Sequence, residues 1–140
     1  MEYRVQVNCD DIDWAAVCRV IAEAGLSTHS AEVTEKAFKN SYRVVFVFAA
    51  DLLVGVGRTL CDGAYQAALY DIAVLPAHQG RKLGSMIIEE LHKGLEGMNV
   101  ILYARPGVEP FYRKLGYSRM LSGMARFENP AMMRKKGFTE

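Results

Sequence analysis

Between positions 42 and 75 the chain reads as three strands in succession. Residues 42–49 form a Val- and Phe-rich run. Residues 52–60 follow a turn at Asp51, and 65–75 follow the turn signal Asp62-Gly63. Connections this short allow only antiparallel neighbours, since parallel strands need a crossover of a dozen residues or more. Pro76 stops the meander. A helix over 85–95 follows, with Met86, Ile87, Leu91 and Leu95 on one apolar face. A meander continued by helix, strand and helix restricts the chain to α+β architecture with a central, mixed, mostly antiparallel sheet.

The flanks add to that frame. Residues 2–8 alternate at strand period. Asp10 or Asp11 is the expected cap of a helix carrying Ile12, Ala15, Ala16, Val20 and Ala24, with Gly25 closing it. A short second helix is expected over 32–38. Residues 99–104 read as a short buried strand and Pro106-Gly107 as a turn. A short helix over 108–115 is closed by Gly116, and 117–127 read as a further strand bent at Ser122-Gly123. The basic tail 129–140 is expected to be ordered only in part.

The bulk properties narrow the function classes. A chain of 140 residues is read as one domain, 1–140, able to bury a core. Its 17 basic and 16 acidic residues leave a net charge of +1, against a dedicated nucleic-acid binder. No apolar run approaches the roughly 20 residues of a membrane span, and Met1-Glu2-Tyr3-Arg4 opens no signal-peptide core. Cys9, Cys18 and Cys61 are odd in number and widely spaced. They make no metal-ligand pattern, and reduced thiols in a cytoplasm are the expectation.

The stretch Leu75-Pro76-Ala77-His78-Gln79-Gly80-Arg81-Lys82-Leu83-Gly84-Ser85 carries the chemistry. Two glycines let the backbone approach a ligand, two cations add charge, and a helix N-terminus presents unpaired N–H groups. Together they suit a phosphate-bearing ligand. A nucleotide site is disfavoured because GxxxxGK[ST] is absent and the elements form no repeated βαβ units.

Here the chain resembles the GNAT superfamily of N-acetyltransferases. That family has a strand, V-x-P, then Q/R-x-x-G-x-G/A opening a helix. This chain has Val74-Leu75-Pro76, then Gln79 to Gly84, with Lys82 at the middle glycine. A lysine suits that position when its backbone stays helical. Downstream, the family's N-x-x-A-x-x-F-Y-x-x-x-G-F is matched by Phe111, Tyr112, Gly116 and, conservatively, Tyr117. Arg105 and Val108 replace the Asn and Ala.

The resemblance implies an α/β/α sandwich in which the fourth strand splays from the fifth to admit acetyl-CoA, with no metal. Backbone of Ile72, Ala73 and Val74 would take the pantetheine arm. N–H groups of Gln79, Gly80, Arg81, Lys82, Leu83, Gly84 and Ser85 would hold the pyrophosphate, helped by the Arg81 and Lys82 charges. It further implies direct acetyl transfer to a primary amine of a small molecule or peptide. A backbone N–H such as that of Val74 would stabilise the oxyanion, and Tyr112 would be the general acid. Asp71 is the candidate base, ahead of His29 and His78. Asp71 reads equally as a structural carboxylate, and Arg58 as a substrate contact or a partner of Asp62 or Asp71. Small members of that family often pair, so a homodimer is among the expectations. The rival reading is a non-catalytic acyl-CoA-binding or sensing module on the same fold.

Overall fold

The computed structural model describes residues 2–140, which form two compact units, residues 2–102 and 103–140. The first runs β1 (Tyr3–Gln6), α1 (Trp14–Glu23), α2 (Ala31–Lys39), β2 (Arg43–Ala49), β3 (Leu52–Cys61), β4 (Gln66–Val74), a 3-10 turn (Pro76–His78), α3 (Leu83–His92) and β5 (Asn99–Ile101). The strands lie in chain order, β1 to β4 antiparallel and β5 parallel to β4. The expected α+β sheet and its three-strand meander are present.

Pairing places Val45 beside Gly57 and Val47 beside Gly55 on one sheet face, and Phe46 beside Val56 on the other. Helix α3 covers the glycine face. A Cβ on Gly57 would lie 2.7 Å from Ile87 and 3.1 Å from Leu91, so only glycine permits this close approach. On the opposite face, Trp14 of α1 and Phe38 of α2 pack against Phe46 with ring centroids 5.6–6.0 Å apart. The sheet therefore lies between helix layers, and the core consists of residues such as Phe46, Val54, Ile87 and Leu91, all fully buried.

Local chemistry shifts several expected boundaries. Helix α1 is capped by Asp13, not Asp10 or Asp11. Asp13 Oδ1 accepts the N–H groups of Ala15 and Ala16 at 3.0 and 3.3 Å, leaving Ile12 outside. Asp11 instead takes left-handed backbone, and the Gln6 amide bonds the Asp10 carbonyl. Helix α3 begins at Leu83, before Ser85, and stops at His92. Lys93 is extended there and Gly94 has φ +84°. Strand β5 is shorter than 99–104, and Asn99 and Ile101 are exposed rather than buried.

The second unit holds α4 (Glu109–Lys114) and α5 (Pro130–Lys135). No strand forms over 117–127. No strand exists elsewhere in 103–140 for it to pair with. Met120, Leu121 and Met124 are 55%, 89% and 96% exposed, so no buried face sets a register. The tail is more ordered than expected. Asn129 caps α5 through the Met132 N–H, Gly137 closes it at φ +86°, and Phe138 packs edge-on to Tyr103 and Phe127.

Candidate active site

Strand β4 is the element on which the expected site is built. Arg58 pairs with Tyr70 and Val56 with Ala73, so Gly57 alone opposes both Asp71 and Ile72. This is a β-bulge, and Asp71 carries it at φ +55°. Left-handed backbone costs an L-residue about 1–2 kcal/mol, less for Asp and Asn. The Asp71 carboxylate accepts Arg58 Nε–H at 2.7 Å. Of the partners open to Arg58, Asp71 is the one realised. Asp62 instead accepts the N–H groups of Ala64, Tyr65 and Gln66, which hold its carboxyl below the usual range.

The other edge of β4 is open where the bulge lies. Pairing with β5 covers only Gln66, Ala67 and Ala68. Beyond Ala68, β4 continues six residues with no β5 partner, because β5 ends at Ile101. The Leu75 N–H points into the sheet, at the Val54 carbonyl 2.8 Å away. Strand alternation then turns the N–H and C=O of Val74 toward the open edge. There the Gln79 side-chain amide takes the Val74 carbonyl at 3.0 Å. Of the backbone expected to receive a pantetheine arm, that carbonyl is occupied and the Val74 N–H is turned outward.

The loop after β4 keeps its cations in solvent and its backbone tightly turned. Arg81 and Lys82 are exposed, Gly80 has φ +80°, and Lys82 has φ +64°. Lys82 is therefore left-handed, and its backbone does not continue the helix that starts at Leu83. The position makes the demand a glycine meets freely, and lysine meets it with strain. The Gln79 N–H is already bonded to the Pro76 carbonyl at 3.3 Å, so it is not open to a phosphate. In α3 the Met86 N–H reaches the Lys82 carbonyl at 3.1 Å, leaving the earlier N–H groups of Leu83, Gly84 and Ser85 as helix-start donors. His78 is bonded through Nδ1 to the Tyr3 hydroxyl at 3.1 Å, and His29 is exposed.

In the second unit, Tyr112 lies on α4 between Phe111 and Tyr117, at centroid distances of 5.0 and 5.8 Å. The Tyr117 N–H returns to the Tyr112 carbonyl and the Gly116 N–H to that of Arg113. Gly116 at φ +93° makes this helix stop feasible. Burial pushes the Tyr112 phenol up, against a smaller opposing effect of Arg105. Burial, and secondarily Tyr112, push Tyr117 up to about 12. Both phenols are thus proton donors at neutral pH.

The acetyltransferase (GNAT) domain matches residues 40–119, more than half of the chain. The chain belongs to the GNAT acetyltransferase family. Among its relatives, serotonin N-acetyltransferase 2 (chloroplastic) of Oryza sativa subsp. japonica is 30% identical over 137 residues, covering 91% of this chain and 68% of that protein. An uncharacterized N-acetyltransferase of Porphyra purpurea is 29% identical, covering 87% of this chain and 67% of the relative. Among solved structures, a protein of unknown function from meticillin-resistant Staphylococcus aureus, described as a probable acetyltransferase, superposes with a TM-score of 0.80. It is 30% identical and covers 90% of this chain and all of its own. This GNAT protein is an N-acetyltransferase, an enzyme whose family generally uses acetyl-CoA on amines.

Sequence reasoning missed the bulge and the reason for Gly57. The two glycines of β3, Gly55 and Gly57, inside a strand pattern were the available signal for both. Among the described residues no group of three or more His, Cys, Asp or Glu is arranged to hold a metal ion, and no helix is long and apolar enough to cross a membrane.

Proposed function

We propose that this N-acetyltransferase takes acetyl-CoA as donor and transfers the acetyl group directly to a primary amine of a small molecule or peptide. The observation that carries the proposal is the path of the chain around β4. An open strand edge from Leu69 to Val74 leads through the Gln79–Lys82 turn into the start of α3. The residues suit such a donor. A strand edge with outward N–H groups pairs with an amide-bearing arm. Exposed Arg81 and Lys82, with the first N–H groups of α3, suit its phosphates. The family match spans the boundary between the two units, which supports reading the chain as one catalytic domain.

When bound, acetyl-CoA supplies an acyl carbon activated by sulfur. The Val74 N–H is the donor we assign to the acyl oxygen, and Tyr112 the donor we assign to the departing thiolate. We assign no direct proton abstraction to Asp71. Its Oδ2 is held by Arg58 at 2.7 Å, and the same guanidinium opposes an approaching ammonium. The acceptor then reacts from its free-amine fraction, and kcat/KM rises tenfold per pH unit up to the acceptor's own pKa.

Calorimetric titration with acetyl-CoA, with ATP as control, tests the donor. Free-thiol release over an amine panel headed by serotonin, after the rice relative's name, tests transfer. Tyr112→Phe is expected to lower kcat about 100-fold or more while acetyl-CoA affinity stays within a few-fold. Unchanged kcat removes Tyr112 from the mechanism. Binding of acetyl-CoA with no acetylated amine would instead favour the sensing module.

A further inference from the structure

A bulge imposed by a non-glycine residue needs something to hold it, and the structure contains that device. Asp71 at φ +55° lies where β3 contributes one residue, Gly57, and β4 contributes two. Its carboxylate is bonded to Arg58, the residue next to Gly57 on the facing strand. Arg58 is itself immobilised. Its guanidinium lies over the rings of Phe38 and Tyr70, 5.7 and 5.4 Å from their centroids, and Nη1 reaches Ser41 Oγ at 3.4 Å. The pair is largely screened from water, with side chains 15% and 22% exposed. The bulge begins three residues after Ala68, the last β4 residue paired with β5. A bulge bends its strand and increases its twist, so it turns β4 away where β5 is left behind.

We propose that the Arg58–Asp71 ion pair is a clamp that holds the β4 bulge and thereby keeps the donor-binding edge of β4 open. Asp71 is then a positioning residue, not a proton acceptor, and Arg58 is not a substrate contact. The consequence for acetyl-CoA rests on the acetyl-transfer reading above; the clamp itself does not.

Three readouts test it. The first is the ¹³Cα and ¹³Cβ shifts of residue 71 in the ligand-free protein, which separate left-handed from extended backbone. The second is the acetyl-CoA dissociation constant by calorimetry, and the third the pH profile of kcat. Arg58→Gln and Asp71→Ala are expected to lose the left-handed shifts and weaken acetyl-CoA binding tenfold or more. Asp71→Asn keeps an acceptor and a residue at ease in left-handed backbone. It should retain the shifts, bind within threefold of wild type and keep the shape of the pH profile. Arg58→Lys preserves charge and stem, and should recover part of the affinity if Arg58→Gln fails to fold. The clamp is overturned if Arg58→Gln leaves shifts and affinity unchanged. It is equally overturned if Asp71→Asn binds normally but loses kcat 100-fold together with the acidic limb of the profile, which would make Asp71 the base. Wild-type protein that binds no acetyl-CoA would overturn the acetyl-transfer reading instead, and the shifts alone would then decide the clamp.

Discussion

The two units of the chain are built by different means. Residues 2–102 enclose a sheet whose inner positions are fully buried, with Phe46, Val45 and Val54 at 0% exposure. Residues 103–140 contain no buried residue at all. Their order comes from the Asn129 cap of α5, glycine stops at Gly116 and Gly137, and two edge-to-face ring groups. One group is Phe111, Tyr112 and Tyr117, the other Tyr103, Phe127 and Phe138. Periodic burial organises the first unit, and local turn chemistry with ring contacts organises the second. In the first unit β4, the strand proposed to receive the donor, is part of the core and is held by it. In the second, the candidate acid Tyr112 depends on a few ring contacts and one helix stop.

Four substitutions test this contrast. The largest effect belongs to Phe46→Ala, expected to cost about 3–5 kcal/mol in urea unfolding because a fully enclosed ring is removed. Phe138→Ala, made alongside it, should cost only about 1 kcal/mol, the scale of a ring pair. Equal costs would erase the distinction. Next is the alkaline response of the second unit. Tyr117 ionises at about 12 when folded and near 10 when unfolded. Its folded pKa is raised, so its contribution is complete below pH 10 and lost as pH climbs through 12. Partial solvation reduces the loss to about 1–2 kcal/mol. Tyr117→Phe should flatten stability between pH 10 and 12; a wild-type curve already flat there contradicts the raised, half-buried phenol. The smallest effect is a gain. Thr59 Oγ1 is enclosed without a hydrogen-bond partner in the first unit. Thr59→Val keeps the β-branched shape and should raise stability by about 1 kcal/mol. A loss would mean that the hydroxyl is satisfied after all.

Much of this was legible because burial and turns leave local marks. The alternation of Tyr3, Val5 and Val7 predicted β1. The Val- and Phe-rich runs broken at Asp51 and Asp62-Gly63 predicted the β2–β4 meander. The phosphate-loop signature led to a real strand–turn–helix start, and Phe111-Tyr112 with Gly116 led to α4. The misses share a cause. Asp71 reads as one more polar residue in a strand, since nothing adjacent announces that two residues oppose Gly57. Lys82 reads as one more cation beside the loop, since φ +64° there is imposed by the turn from the 3-10 helix into α3. Residues 117–127 have strand composition, but a strand is a pairing relation and these residues lack a ladder partner within their unit.

By itself the sequence determined the order of the elements from β1 to α4, the antiparallel meander and the strand–loop–helix whose motifs carry the family resemblance. Each rests on near-neighbour patterns: period-two burial, turn residues, and glycines at fixed spacing. Only the tertiary structure decided the bulge at Asp71, the length of the β4–β5 contact and the use of Arg58, because each depends on residues that meet across strands. Arg58 and Asp71 are thirteen residues apart in the chain and 2.7 Å apart in the fold. The register between β3 and β4 brings them together, and that register is settled by packing against both helix layers.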